Sequence, residues 1–202
     1  MLPARILEVC RRRRIDRVAI TDHNTIDGAL EAHSLAPDRV IIGEEIMTDH
    51  GELLGYYLRE QIPAGLSPQE TIDRLRGQGA VISVSHPFDS VRKGSWAEAD
   101  LRQILPSVDA IETFNARVWP RGANDRAQAL ADEVGIPGTA GSDAHAYLEL
   151  GRAVMRLPDF ESPAEMRVSL PKAEIDASRS SRLVHLLSRY ASLRKRLGWR
   201  RA

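Results

Sequence analysis

The sequence is poor in cysteine, in long apolar runs and in net charge, and each shortage excludes a class of protein. A single cysteine, Cys10, among 202 residues excludes an internal disulfide and a cysteine-based zinc site. No apolar run approaches the ~18 residues of a membrane span. Residues 1–5 lack the basic and then apolar form of a secretory signal. We therefore expect a cytoplasmic protein that does not bind membranes.

Acidic and basic side chains balance over the whole chain but not along it. The 28 lysines and arginines equal the 28 aspartates and glutamates, so overall charge does not indicate a nucleic-acid binder. Residues 177–202, however, contain no acidic residue and eight cationic ones. Their pattern predicts a basic amphipathic helix over 182–197, which either grips nucleic acid or packs on the protein with its arginines in water.

Glycine-rich phosphate loops, a Gly-x-Ser-x-Gly nucleophile elbow and a dinucleotide fingerprint are also missing. What is present is an alternation of apolar β-branched runs with helical segments. Ser67 and Glu70 form a capping-box pattern around Pro68 and predict a helix that ends at Gly77 or Gly79. Strands are predicted at 17–20, 39–46, 53–58, 80–84, 109–115, 152–157 and in a run ending at 141. The alternation predicts a largely parallel α/β sheet or barrel.

Several of these strands end abruptly in histidine or carboxylate residues. His23 follows the first strand, Glu45 ends the second, His86 follows the fourth, and Asp143 and His145 follow the strand ending at 141. Because strand ends open onto one face of an α/β barrel, these side chains can meet there. Imidazole and carboxylate together suit Zn²⁺, Mn²⁺ or Fe²⁺. The sequence therefore predicts a metal centre.

Other polar residues near these strand ends have two readings each. Glu52 reaches the same face across a predicted hairpin or lies in a surface turn, and Asp22 orients His23 or caps the next helix. Asn115 and Arg117 end the fifth strand, where they either bind a phosphate oxyanion or serve a structural role. Arg92 likewise binds phosphate or is a solvated loop charge. His33 and His50 are expected on the surface.

Taken in order, six segments resemble the polymerase and histidinol phosphatase (PHP) family of metal-dependent phosphoesterases. They are Ile-Thr-Asp-His-Asn-Thr at 20–25, Gly-Glu-Glu-Ile at 43–46, Gly-Glu-Leu-Leu-Gly at 51–55, Ser-His-Pro at 85–87, Ile-Glu-Thr-Phe-Asn at 111–115 and Ala-Gly-Ser-Asp-Ala-His at 140–145. The resemblance implies a distorted seven-stranded β/α barrel over residues 1–155 and a PHP-associated C-terminal extension over 156–202. It also implies two or three divalent metal ions (Mn, Zn or Fe).

The ligands implied by the resemblance are His23, Glu45, His86, Asp143 and His145, while Glu52 falls where many relatives place a histidine. The family begins with a strand ending in His-x-His, and no such motif precedes the first predicted helix here. We therefore expect the first barrel strand to be missing. A start codon assigned too far downstream, or a truncated chain, explains this better than natural loss.

The resemblance implies hydrolysis of phosphate esters by a metal-bridging hydroxide, with a small phosphorylated metabolite or nucleotide as substrate. Asp143 would bridge or bind metal, Asp22 would orient His23, and Asn115 and Arg117 would hold phosphate. Two alternatives stay open. The chain is a non-catalytic remnant that acts as a binding module, or it is an exonuclease that grips nucleic acid through its basic C-terminal helix.

Overall fold

The computed structural model describes residues 1–180, which form a mixed α/β fold. The predicted helix over 182–197 lies outside the described residues. The strands are β1 Val18–Ile20, β2 Val40–Met47, β3 Glu52–Tyr56, β4 Val81–Val84, β5 Ala110–Asn115, β6 Gly138–Gly141, β7 Ala153–Arg156 and β8 Glu174–Ala177. The α-helices are α1 Pro3–Arg12, α2 Asp27–Leu35, α3 Pro68–Gly77, α4 Glu98–Ile104, α5 Ala123–Val134 and α6 Pro163–Ser169.

Strands β1 to β6 form one curled sheet in sequence order, which makes a half-barrel. The pairs β1–β2, β4–β5 and β5–β6 are parallel. Strand β3 runs antiparallel to both of its neighbours, as the predicted hairpin requires. The sheet is therefore more mixed than the alternation of helices and strands suggests, and the seventh strand of a full barrel stays a prediction.

Side chains on β2 and β3 alternate between two buried faces. Ile46 and Leu53 pack with helices α3, α4 and α5 on the outer face. On the inner face, Leu54 and Tyr56 pack against Phe160 and α6. Helix α6 thus fills part of the half-barrel interior and leaves the other end, where β1, β2 and β4 finish, to polar side chains.

Local sequence signals set several helix ends. Ser67 Oγ accepts from the backbone N–H of Glu70, and the Glu70 carboxylate accepts from the N–H of Ser67, which confirms the predicted capping box and the helix end at Gly77. Helix α2 begins at Asp27. Ile26 is its N-cap, and Thr25 Oγ1 accepts from the N–H of Asp27 at 3.2 Å.

Strands β7 and β8 form a separate antiparallel sheet beside β6. Ser142 joins it to the main sheet, because its hydroxyl bonds to both the N–H and the C=O of Ala153 at 3.1 Å. Strand β7 confirms the strand predicted at 152–157. The predicted domain boundary after residue 155 falls inside β7 and stays a prediction. Within residues 1–180, no helix has both the length and the apolar content needed to cross a membrane.

Asp109 is predicted to anchor α3 and α6 to the sheet. Its carboxylate, 14% exposed, accepts from Arg76 at 2.6 Å, from Arg167 at 3.2 Å and from the N–H of Ile82 at 2.8 Å. We expect Asp109→Ala to lower the free energy of unfolding by about 3 kcal/mol, because it removes the carboxylate that offsets two partly buried guanidinium charges and accepts from a backbone N–H. Chemical denaturation measures this. Glu133→Ala is the matched control, since it removes an exposed carboxylate that pairs with Arg102. Equal effects of the two changes would contradict the anchoring role.

Candidate metal centre

The predicted ligands converge where the parallel strands end. His23 follows β1, Glu45 lies near the end of β2 and His86 follows β4. Strand β3 runs the other way, so its first residue, Glu52, lies at the same edge and pairs with Met47 near the end of β2. The topology therefore brings together side chains from four strands that are far apart in sequence.

His23 and Glu45 are held side by side by the backbone. The parallel pairing of β1 and β2 continues beyond β1 as a bridge between these two residues. Glu45 donates its N–H to the carbonyl of Asp22 at 3.2 Å, and its own carbonyl accepts from Asn24 at 2.9 Å. Strand alternation points the neighbouring Glu44 to the outer face, where it accepts from the N–H of Ile62 at 2.9 Å. Glu45, and not Glu44, thus faces the cluster, as predicted.

Four side chains form a compact cluster of two imidazoles and two carboxylates. Ligand atoms of His23, Glu45 and Glu52 all lie within 4.8 Å of one another. His23 Nδ1 is 3.4 Å from an oxygen of each carboxylate. His86 Nε2 is 3.0 Å from Glu45 Oε1 and 3.2 Å from Glu52 Oε2. Each imidazole therefore approaches both carboxylates, and Glu52 belongs to the cluster and not to a surface turn.

Ionisation within the cluster is strongly shifted. The hydrogen bond to Glu52 raises the pKa of His23 to about 9, against the opposing effect of burial. Burial lowers the pKa of His86, but the hydrogen bond to Glu45 and nearby carboxylates outweigh it and raise that pKa to about 9. Burial acts to raise the pKa of Glu45, yet His86 and His23 hold it below its usual value. In the metal-free protein, protons on the imidazoles balance the carboxylates.

The donor set fits a divalent transition metal. Among the described residues, Glu52 Oε2 and His86 Nδ1 are buried and make no hydrogen bond, and the nearest cationic group to Glu52 Oε2 is His86 Nε2 at 3.2 Å. An unsatisfied buried carboxylate oxygen is costly unless a cation binds it. Imidazole nitrogens and carboxylate oxygens within one ligand sphere suit Zn²⁺, Mn²⁺ or Fe²⁺. His23, Glu45, Glu52 and His86 could hold such an ion.

Asp143 and His145 form a second group next to this cluster. Asp143 Oδ1 is 3.4 Å from His145 Nδ1, and Asp143 Oδ2 accepts from Arg92. Arg92 Nη1 also lies 3.3 Å from His86 Nε2, so one guanidinium joins the two groups. Asp143 has a φ of 47° and His86 a φ of 20°. Positive φ at non-glycine residues costs conformational energy and is concentrated at functional sites.

Glu112 is a buried residue of this region whose role was not predicted from the sequence. Its Oε2 accepts from the N–H of His86 at 2.8 Å and from Asn115 Nδ2 at 3.1 Å. Burial raises its pKa to about 7. Glu112 therefore positions both His86 and Asn115. Its signal in the sequence was a carboxylate inside the apolar strand β5.

Arg117 lies in a different setting from the predicted phosphate contact. It is buried, and Nη1 donates to Glu149 Oε1 at 2.8 Å and to Oε2 at 3.0 Å. Glu149 Oε2 accepts in turn from the N–H groups of His145 and Ala146, both at 2.9 Å. This pair fixes the loop that carries His145. Sequence reasoning missed Glu149, which lies beyond the loop and resembles a solvated turn residue.

Asp22 and Asn115 differ in how far they support their predicted roles. Among residues 1–180, the Asp22 carboxylate makes no hydrogen bond to His23, and it lies instead against Gly28 at the start of α2. Asn115 is buried beside Glu112 and lines the cleft described next. The orienting role of Asp22 and the phosphate-binding roles of Asn115 and Arg117 stay predictions. His33, expected on the surface, is half-buried and its Nδ1 lies 2.9 Å from the Val40 carbonyl.

A cleft of about 1350 Å³ opens beside the cluster. Residues of β1 and β6 line it from opposite sides, and His23, Glu45, Asn115, Asp143 and His145 line one end. In the described part of the chain, β1 pairs only with β2 and β6 only with β5. The cleft therefore separates two free strand edges of the half-barrel.

The raised pKa of His86 predicts how the stability of the metal-free protein depends on pH. Since that pKa rises from 6.5 to about 9 on folding, the stabilisation is complete below pH 6.5 and is lost as pH rises through 9. We expect the free energy of unfolding, measured in chelator, to fall by up to about 3 kcal/mol across this range.

His86→Gln should reduce this decline, and His33→Gln, outside the cluster, should leave it unchanged. Added divalent metal should reverse the trend, because it competes with protons for the imidazoles. If the free energy of unfolding declined equally with pH in the wild type and in His86→Gln, the role assigned to His86 would be contradicted.

Comparison with known proteins gives family and fold matches. A family model described as PHP-associated matches residues 121–174. Uncharacterized protein MJ1587 of Methanocaldococcus jannaschii is 44% identical over 117 residues, which are 56% of this chain and 66% of that protein. Uncharacterized protein MJ0417 of the same organism is 37% identical over 168 residues, which are 78% of this chain and 67% of that protein. The matches thus span about two thirds of each relative.

Two solved structures share the fold. PsfC from Pseudomonas syringae matches with a TM-score of 0.69 and 18% identity, over 93% of this chain and 87% of PsfC. A two-domain protein of Bacteroides vulgatus, which contains a predicted PHP-like metal-dependent phosphoesterase, matches with a TM-score of 0.58 and 15% identity, over 74% of this chain and 49% of that protein. With the family model and the strand-end residues of the cluster, these matches identify the chain as a member of the PHP family.

Proposed function

We propose that this protein hydrolyses phosphate esters in a metal-dependent reaction, with a small phosphorylated metabolite or nucleotide as substrate. The carrying observation is the cluster in which ligand atoms of His23, Glu45 and Glu52 lie within 4.8 Å of one another, beside an open cleft. Family membership favours a phosphoesterase over other metal-dependent hydrolases. We place the activity in the cytoplasm, which the single cysteine favours.

The two side-chain groups supply ligands for two or three divalent ions, and the donor chemistry favours Mn, Zn or Fe. His23, Glu45, Glu52 and His86 would hold one ion, and Asp143 and His145 would contribute to a second position. Bound divalent ions would supply an activated hydroxide for attack on phosphorus and would neutralise charge on the leaving oxygen.

The remaining residues act through position and hydrogen bonding. Glu112 holds the amide of Asn115 beside the cleft, where Asn115 could donate to a phosphate oxygen. The pair of Arg117 and Glu149 keeps the backbone of His145 in place. Both contacts reduce the conformational freedom of groups that would meet the substrate, which is how a site gains from preorganisation.

A seventh strand between β1 and β6 would complete the barrel. Within residues 1–180, β1 and β6 each pair with one strand of the sheet and both line the cleft, and unpaired strand edges favour the addition of another strand. A strand ending in His-x-His at this position would bring further imidazoles to His23 and Asp143, since parallel neighbours end at the same edge. A role as a binding module stays an alternative, because the open cleft leaves space for a segment of a partner protein.

Metal content and hydrolysis of p-nitrophenyl phosphate test this function. We expect the chain to bind Mn²⁺ or Zn²⁺, and Glu45→Gln to weaken binding at least tenfold, on the order of the loss expected for a disturbed ligand shell. His50→Gln is the control, because His50 is exposed and bonded to Asp49.

An extended version in which a strand ending in His-x-His precedes residue 1 should hydrolyse the ester faster than the chain itself. Metal binding without hydrolysis in either version would favour the binding module. The lack of metal binding in both would overturn the proposed function.

A second candidate function, nucleic-acid processing, rests on the charge of residues 177–202, which lie largely outside the described residues. These residues contain eight cations and no carboxylate side chain. If they grip RNA or DNA, binding should weaken steeply with salt, with a log–log slope near −0.9 for each phosphate contacted on duplex DNA. Deletion of residues 181–202 should abolish this dependence without loss of metal binding. A full-length chain that binds no nucleic acid at low salt would exclude the role.

A further inference from the structure

A strap of residues 87–96 crosses the cluster directly after His86. Trp96 Nε1 donates to the carbonyl of Glu52 at 3.1 Å, and the N–H of Glu52 donates to the carbonyl of Gly94 at 3.2 Å. A Cβ at Gly94 would overlap the Glu52 carboxylate, and a Cβ at Gly51 would overlap the Trp96 ring. The strap is therefore fitted closely against a cluster residue and has little freedom to shift there.

The strap carries Arg92 into the space between the two groups of ligands. Nη2 donates to Asp143 Oδ2, and Nη1 lies 3.3 Å from His86 Nε2. Arg92 Nε donates to Asp89 Oδ2 at 3.1 Å, and only 2% of the Asp89 side chain is exposed. The guanidinium is thus held from one side by the strap and reaches both groups from the other.

Arg92 supplies positive charge where carboxylates are crowded. Glu45, Asp89 and Asp143 surround it, and their charges, against the cost of burial, raise its already high pKa. A guanidinium keeps its charge at every physiological pH and has no lone pair to offer a metal ion. Two cations in one partly buried space repel each other strongly. Asp143 Oδ2, which accepts a hydrogen bond from Arg92, therefore cannot bind a divalent ion at the same time.

We propose that Arg92 is a built-in counter-cation of the second metal position, and that a divalent ion binds at Asp143 and His145 only after the guanidinium leaves Asp143. This inference rests on the proposed function, because it presumes that the chain binds metal. Asp89 tethers Arg92 during the exchange, so the released guanidinium stays at the rim of the site. Metal binding is then coupled to the position of the strap.

Direct metal titration tests the competition without reference to catalysis. Mn²⁺ binding to the full chain, measured by isothermal titration calorimetry, should be about tenfold tighter in Arg92→Gln, within the usual range of site-to-site coupling. Arg126→Gln is the matched control, because it removes a nearby guanidinium stacked 4.1 Å from the centre of the Phe88 ring, outside the cluster. It should leave Mn²⁺ affinity unchanged.

Asp89→Asn provides a second variant in case Arg92→Gln does not fold. It keeps the charge of Arg92 but removes the charge that tethers it, while the side-chain oxygen can still accept from the N–H of Val91. A smaller gain in Mn²⁺ affinity is expected. The Trp96 fluorescence change on metal addition should persist in Arg126→Gln and shrink in Arg92→Gln, whose strap is no longer held to Asp143.

The outcomes distinguish failure of this inference from failure of the proposed function. Wild-type binding that is equal to or tighter than binding by Arg92→Gln and Asp89→Asn would overturn the counter-cation role and leave the proposed function intact. No Mn²⁺ binding by any variant would overturn both.

Discussion

The buried carboxylate of Glu45 is the constraint around which this end of the molecule is organised. Glu45 is 93% buried, with 7% of its surface exposed, on a strand whose other inward side chains are largely apolar. A carboxylate in such a place requires cations or donors. Ser85 donates to it at 2.7 Å, and His23 and His86 approach it from the ends of β1 and β4. Those strands can deliver these partners only if they end at one edge, so the sheet topology and the chemistry of the site are mutually dependent.

The strand ends were predictable because both signals that mark them are local. An apolar run predicts a buried strand, and a histidine or carboxylate directly after it predicts a ligand, as His23, His86 and Asp143 illustrate. Glu52 was predictable only through the hairpin, because an antiparallel strand presents its first residue, not its last, at the same edge. The capping box at Ser67 was local too, and it set both the start of α3 and its length.

Pairs between distant charged residues could not be predicted. Arg117 was predicted to bind phosphate or to serve a structural role, and the sequence did not show that Glu149, 32 positions later, accepts from its Nη1. Arg92 was predicted to bind phosphate or to be a solvated loop charge, and nothing in its neighbourhood in the sequence shows that Asp143 lies within reach. Glu112 was visible as a carboxylate in a strand, yet its two hydrogen bonds come from residues that only the fold brings together. In each case the sequence indicates a charge but not its partner, because partners are set by tertiary contacts.

The open cleft and the contact between Arg92 and Asp143 are both related to an excess of negative charge at this end of the molecule. The two ligand groups gather carboxylates from β2, β3 and the loop after β6, while in the described residues the cleft is lined by β1 and β6, each of which pairs with only one strand of the sheet. Protons on His23 and His86 offset part of the negative charge, and the guanidinium of Arg92 offsets more. Divalent ions would offset it more effectively, because each carries two charges into a space of low dielectric. The same carboxylates that stabilise the bound guanidinium thus favour its replacement by metal, and the side chain of Arg92 is the group that has to move.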